Sequence, residues 1–332
     1  MDTSKIFNIV NNMVYSSIPG ASAAVIQENK VQKFVNGNSM EFPVKRKLLE
    51  ESYYDLASLT KLVATTTRIF QLIENGSIGL KTSVKSIIPD SKFPDVTIKN
   101  LLMHNSGLPA DIAIEKNWGK KELEKYILTL DKEYKLGQKI IYSDIGYILL
   151  GWIIEKIDGV SLQVTCKEHI FKPLEMVHTD FCIQVPEQLI VPTEVVDYQI
   201  ISGVVHDDKT RVLGGIAGSA GLFSTLEDLS RFCIMMMNEG TYNNVVILHP
   251  TFLTLMKNNI QDNRTLGWEI FTNHNKEEFL YHTGFTGTSI LINTSKKESF
   301  ILLTNRVHPN RNNEKYIQER NNLIHSIISK TD

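Results

Sequence analysis

Strand-like and helix-like patterns are segregated along this chain, and that segregation constrains the fold most. Near the start, Ile6, Ile9, Val10, Met13 and Val14 fall at helical spacing and predict an amphipathic helix. Two apolar runs follow, Ala21–Gln27 and Val31–Val35, separated by Glu28-Asn29-Lys30, and they predict a β-hairpin. The final third carries four short β-rich segments separated by turn residues: Leu266–Phe271, Glu278–His282, Ser289–Asn293 and Ser299–Thr304. That spacing predicts an antiparallel meander. A last helix over about 313–329 carries Tyr316, Ile317, Leu323, Ile324, Ile327 and Ile328.

Between these ends the pattern is mostly helical. Leu59, Leu62, Val63, Thr66, Ile69, Phe70 and Ile73 form one stripe, with Gly76 as its stop. Further helical patterns cover 121–130, 145–158, 161–171 and 226–238. The prediction is an α+β protein whose antiparallel sheet is built from both ends of the chain and flanked by helices. Residues 1–60 and 225–332 would form that part, and residues 61–224 a mostly helical lobe. A cleft between two such lobes is a usual place for a site.

Composition narrows the function. The 35 basic and 37 acidic residues leave a net charge of −2, without the basic excess that nucleic-acid binding needs. Cys166, Cys182 and Cys233 are too few for a disulfide framework, so nothing requires an oxidising compartment. The opening segment is interrupted by Asn8, Asn11 and Asn12 and reads as a packed helix, not a secretory signal. The longest membrane candidate, Tyr147–Ile154, is far too short to span a bilayer. A cytoplasmic protein without a membrane span is the expectation.

Several common chemistries lack their residues. Gly79-Leu80-Lys81-Thr82 has no preceding glycine spacing for a phosphate loop, and no G-x-S-x-G occurs. The run from Gly214 to Gly221 lacks the G-x-G-x-x-G order of a dinucleotide loop. There is no H-x-x-x-H and no C-x-x-C, and His206-Asp207-Asp208 reads better as a polar loop than as a metal site. No metal and no cofactor is expected.

Three elements do carry chemistry. Ser58-Leu59-Thr60-Lys61 is an S-x-x-K at the start of the striped helix. Residues three apart share a helix face, so Lys61 lies within reach of the Ser58 hydroxyl. A serine hydroxyl becomes a good nucleophile only when a neighbouring base takes its proton. Alone, the motif is better explained by a helix-capping serine and a solvated lysine. Tyr142-Ser143-Asp144 stands at the start of the apolar helix 145–157, where a phenol near an ammonium can shuttle protons. Tyr242-Asn243-Asn244 is a competing match in an exposed connection and is set aside. His282-Thr283-Gly284-Phe285-Thr286-Gly287 ends one predicted strand and precedes another; its glycines let a substrate backbone approach, and Thr283 and His282 can donate hydrogen bonds to a substrate carboxylate or carbonyl, with a hairpin turn as the plain explanation.

Taken in order, S-x-x-K, Y-x-[N/D] and [K/H]-T-G resemble the penicillin-recognising serine hydrolases. Two longer segments resemble their class C β-lactamase-like branch: Leu101-Leu102-Met103-His104-Asn105-Ser106-Gly107-Leu108-Pro109, and Gly218-Ser219-Ala220-Gly221-Leu222-Phe223-Ser224-Thr225 with Asp228-Leu229. The resemblance runs from about residue 20 to 305. It implies a β-lactamase/transpeptidase-like fold, with Ser58 as acylated nucleophile and Lys61 and Tyr142 sharing general-base and general-acid work. It implies that Asp144, where the family usually has asparagine, orients Lys61 and the substrate amide. It further implies an oxyanion hole from the backbone N–H groups of Ser58 and Phe285, with His282, Thr283 and Gly284 on the far side of the substrate. His206 lies ahead of the glycine-rich segment and is a candidate lining residue.

Two departures bear on substrate. His282 stands where lysine is more common, as in the D-alanyl carboxypeptidase and D-aminopeptidase members, which weakens the grip on a carboxylate. Asp144 adds a negative charge that supports a protonated Lys61 and opposes anionic substrates. The expected activity is hydrolysis of an amide or ester through an acyl-enzyme, on a small cell-wall-derived peptide or a simple ester. The alternatives are a weak β-lactamase and a penicillin-binding protein that stays acylated. The expected partners are therefore a small molecule or short peptide, β-lactams included, and neither nucleic acid nor membrane.

Overall fold

The computed structural model describes residues 1–115 and 117–329. Its centre is a seven-stranded antiparallel sheet in which the two ends of the chain meet. We number its strands β1 (Gly20–Gln27), β2 (Lys30–Met40), β3 (Arg46–Lys47), β4 (Glu269–Thr272), β5 (Glu278–Thr283), β6 (Ser289–Asn293) and β7 (Glu298–Thr304). Their order is β4-β5-β6-β7-β1-β2-β3. The join between β7 and β1 runs from Ala21 opposite Thr304 to Gln27 opposite Glu298. The β1–β2 hairpin turns at Glu28 and Asn29, both with positive φ, which is the twist a two-residue hairpin connection needs.

Both faces of the sheet are covered, and strand alternation sorts the residues between them. Ala23 and Val25 of β1, Leu291 of β6 and Phe300 and Leu302 of β7 meet the helices α1 (Thr3–Ser16) and α5 (Glu314–Ile328). Those helices contribute Ile6, Val10, Met13, Tyr316, Leu323 and Ile324. The segment expected to be a packed helix is therefore α1. Ala24, Ile26, Ile290, Ile292, Ile301 and Leu303 point the other way, into the larger core shared with α2 (Thr67–Glu74), α3 (Asp144–Asp158) and α4 (Leu226–Met237). Tyr54–Asp55 pairs with Phe223–Ser224, which ties the start of the helical stretch to its end. The three cysteines are unpaired, and among the described residues no helix is long and apolar enough to cross a membrane.

Two predicted elements differ. The regular helix expected from Ser58 to Gly76 is instead a tight 3₁₀ turn at Ala57–Leu59, a widened π turn over Lys61–Thr66, and only then α2. Every side chain of that π turn is buried, so packing rather than helix propensity sets its shape. The strand expected over Leu266–Phe271 begins at Glu269. Gly267 has φ +85° and packs against Thr66, and its N–H donates to the Leu102 carbonyl, so this stretch is a turn inside the core.

Candidate active site

The site begins with a strained turn. Ala57 has φ +45°, unusual for a residue with a side chain, and such strain persists only where surroundings over-determine it. The buried Asp55 carboxylate supplies that determination. It accepts the Ala57 N–H at 2.8 Å on one oxygen and the His206 N–H at 2.7 Å on the other. From the sheet side, the Thr286 hydroxyl donates to the Asp55 carbonyl at 2.7 Å and the Thr288 hydroxyl to the Leu56 carbonyl at 3.1 Å. Gly284 lies between: a Cβ there would sit 2.4 Å from the Leu56 carbonyl oxygen and 2.1 Å from Thr288 Oγ1. Only glycine lets the end of β5 approach the turn that carries Ser58 so closely.

Ser58 and Lys61 meet as the spacing predicts. Lys61 Nζ donates to Ser58 Oγ at 2.8 Å, to the Ser219 carbonyl at 3.0 Å, and lies 2.7 Å from Asp144 Oδ1. All three ammonium hydrogens are thereby used, and the side chain is fully buried. Burial alone would drive the charge off, but the Asp144 carboxylate and the Tyr142 phenol outweigh it and raise the lysine above its ordinary range. Lys61 is therefore an ammonium in the resting site.

Tyr142 is held by a segment whose role the sequence did not disclose. His104 stacks between Tyr142, at 4.5 Å, and Tyr147, at 5.1 Å. Its Nδ1 accepts the Ser143 N–H at 3.0 Å, and the Ser143 hydroxyl caps α3 at Gly146 N and donates to the Pro109 carbonyl at 2.6 Å. Burial drives the His104 charge off, so a neutral ring orients the phenol. The Tyr142 ring lies 4.9 Å from Lys61 Nζ, and its hydroxyl is buried beside that ammonium.

Across the cleft, the structure differs from the expected chemistry of His282. Burial, reinforced by the nearby Lys61 and Arg264 charges, pushes its pKa down to about 3. Its Nδ1 hydrogen is engaged by the Thr283 carbonyl at 2.9 Å, so the free Nε2 is an acceptor and not a donor to a carboxylate. Asp144 also differs. Its Oδ2 faces Lys209 Nζ at 3.5 Å, so both oxygens sit beside ammonium groups and its opposition to anions is blunted. His206 lines the cleft, with Nε2 3.1 Å from Glu194 and its ring stacked 5.4 Å from Phe285.

The cleft has a volume of about 580 Å³, and Ser58, Tyr142, Asp144, His206, His282, Thr283 and Phe285 all line it. Gly284 stands behind its wall. The Gly284 N–H donates to the Thr288 carbonyl at 2.7 Å, whereas the Phe285 N–H has no acceptor among the described residues. Arg264 and Lys209 also line the cleft and were missed in the sequence. Arg264 lies 5.4 Å over the Tyr142 ring with an unpartnered, buried Nη1. A lone arginine in a turn carries no motif that would have marked it. Among the described residues no group of three or more acidic, cysteine or histidine side chains is arranged for a metal.

Comparison with known proteins now decides the family. The family model described as Beta-lactamase matches residues 8–322. The chain belongs to the beta-lactamase family. It is a β-lactamase-related serine hydrolase with the β-lactamase/transpeptidase fold. It is 28% identical to an N-acetylmuramyl-L-alanine amidase of Bacillus subtilis, covering 92% of this chain and 81% of the relative. It is also 28% identical to a putative D-alanyl-D-alanine carboxypeptidase of Escherichia coli, covering 90% and 81%. The crystal structure of a β-lactamase/D-alanine carboxypeptidase from Pseudomonas syringae superposes with a TM-score of 0.78 at 18% identity, covering 99% of each chain.

Proposed function

We propose that this hydrolase cleaves an amide bond of a small cell-wall-derived peptide through an acyl-enzyme on Ser58. The single observation that carries the reading is the contact of the buried Lys61 ammonium with Ser58 Oγ at 2.8 Å, with the Tyr142 phenol beside it. The substrate class comes from the relatives: their names share an amide to alanine, in N-acetylmuramyl-L-alanine and in D-alanyl-D-alanine.

Lys61 and Tyr142 act as one base, because an ammonium with all its hydrogens engaged accepts no proton until the pair has lost one. The Ser58 oxygen then bonds the carbonyl carbon and its proton passes to the pair. The backbone N–H groups of Ser58 and Phe285 receive the negative oxygen; one such donor is typically worth about 10²–10³ in rate. The carbon–nitrogen bond breaks as Tyr142 returns the proton to the departing amine. Water, activated by the same pair, then releases the acid. Thr283 and His282 hold the far side of the substrate, His282 by accepting a hydrogen bond from an amide N–H. Asp144 orients Lys61, and His206 supports Phe285.

The test is to give the protein N-acetylmuramyl-L-alanine, a p-nitrophenyl ester and a fluorescent penicillin, beside Ser58→Ala. Release of alanine that is lost in Ser58→Ala supports the reading. A stable penicillin label without turnover of amide or ester supports a binding protein instead. Turnover unchanged in Ser58→Ala removes Ser58 as the nucleophile.

A further inference from the structure

Behind the nucleophile lies a chain of alternating charges that the reaction above uses only in part. Lys61 meets Asp144 at 2.7 Å, and Asp144 meets Lys209 at 3.5 Å through its other oxygen. Lys209 continues to Asp111 at 2.7 Å and Asp207 at 2.9 Å. Two ammonium groups and three carboxylates thus share one wall of the cleft. The Lys209 side chain is only 6% exposed, which is costly for a lysine that did no more than decorate a surface. It projects from the short helix Asp208–Val212, where Asp207 also caps the backbone at Thr210, and its neighbours Asp208 and Arg211 pair with each other.

We infer that Lys209 is a positioning residue for this hydrolysis: by holding the second oxygen of Asp144 it sets how tightly Asp144 grips the proton of Lys61. Lys209 has this role only if Ser58 and Lys61 act as proposed above. The physical reason is competition. A carboxylate shared between two cations stabilises each of them less than a carboxylate committed to one. The positive charge of Lys209 also repels that of Lys61 directly. Both effects loosen the Lys61 proton, which the Lys61–Tyr142 pair must surrender before it can accept one from Ser58. Asp111 and Asp207 act oppositely, by partly neutralising Lys209.

The other groups around Lys61 leave this balance to the aspartates and Lys209. Tyr147 lies 5.8 Å away on α3, fully buried and neutral. His104 and His282 are held neutral by burial, and the Ser219 carbonyl is uncharged. Arg264, on the sheet side, sets its guanidinium 5.4 Å over the Tyr142 ring.

A readout independent of substrate identity is the pH dependence of Ser58 phosphonylation by a fluorophosphonate. In that reaction the serine oxygen–phosphorus bond forms, the phosphorus–fluorine bond breaks and fluoride leaves. The serine proton goes to the Lys61–Tyr142 pair. The rate therefore rises with pH as that pair loses its proton. Lys209→Met should move the rising limb to higher pH by on the order of one unit. Lys209→Arg should restore it. Asp111→Asn should move it the other way, to lower pH, and by less, because Asp111 is 62% exposed and screened by water.

Shifts of opposite sign are not what a loosened loop would produce. An unmoved limb in Lys209→Met, or a shift in the same direction for both variants, overturns the inference. If Lys209→Met does not fold, Asp111→Asn decides by the direction of its shift, and a limb that stays put or rises overturns it. Absence of label on Ser58 in the unmodified protein is a different failure: it removes the proposed function itself.

Discussion

The two walls of the cleft are built on opposite principles. On the nucleophile side every charged atom has a partner: Lys61 touches Ser58, Ser219 and Asp144, and Asp144 reaches Lys209. Facing it, polar atoms are buried without partners among the described residues, namely Arg264 Nη1 and His282 Nε2. A buried polar atom left unpaired costs free energy, so its retention asks for a ligand or a transferred proton. The first wall is organised before substrate arrives. The second is completed by substrate. Substitutions in the first should therefore act on the rate of acylation, and those in the second on substrate affinity or on stability.

The largest effect is expected from breaking the satisfied wall at its centre. Lys61→Met removes the base and leaves Asp144 facing Lys209 alone. Single-turnover acylation should fall by about 10³–10⁴, with the penicillin label lost in step. Tyr142→Phe keeps the ring between His104 and Lys61 but removes the hydroxyl that carries the proton. A loss of about 10²–10³ in kcat, with KM little changed, is the expected split. Near-normal kcat in Tyr142→Phe would assign the proton transfer to Lys61 alone.

Next comes the joint between the walls. Gly284→Ala forces a methyl group against the Leu56 carbonyl and Thr288 Oγ1, so β5 must withdraw from the Ser58 turn. A displacement near 1 Å typically costs about 10²-fold. Acylation should drop by that order while circular dichroism still reports an intact sheet. A Gly284→Ala protein as active as the original would mean that the close approach has no bearing on the reaction.

Asp144→Asn sharpens the contrast through pH. Among its neighbours Asp144 does most to hold Lys61 above its ordinary range against burial. Removing that carboxylate lowers the lysine, so the rising limb of kcat/KM should move to lower pH by about one to two units. A limb moving upward would contradict the pairing seen between Asp144 and Lys61.

What the sequence disclosed follows from how local each feature is. The sheet was legible because alternation and turn residues are local signals, and the closure of β1 on β7 follows from having strands at both chain ends. Ser58 and Lys61 were legible because three residues of helical spacing suffice to join them. The π turn over Lys61–Thr66 was not, since burial of six consecutive residues from several directions sets it. Lys209 and Arg264 were invisible because the site groups they face, Asp144 and Tyr142, lie 65 and 122 residues away. His282 lines the cleft, but its charge depends on burial that no single residue announces.

That burial gives the smallest effect at neutral pH and the most specific one in acid. The folded-state pKa of His282 is pushed down to about 3, well below the ordinary value of an unfolded histidine. Above that ordinary value both states are neutral there and the group costs nothing. As pH falls toward 3 the unfolded chain takes up a proton that the folded one refuses, so stability is lost progressively across that window. His282→Gln, which keeps a polar side chain without a titrating ring, should match the original protein at pH 7. In mild acid it should resist urea better, by on the order of 1–3 kcal/mol. His104 is depressed in the same way and continues to drive acid unfolding in that variant, so the gain is partial. Equal loss of stability in both proteins as pH falls would mean that the His282 ring is reached by water, and the unfilled wall would then be wet rather than waiting for substrate.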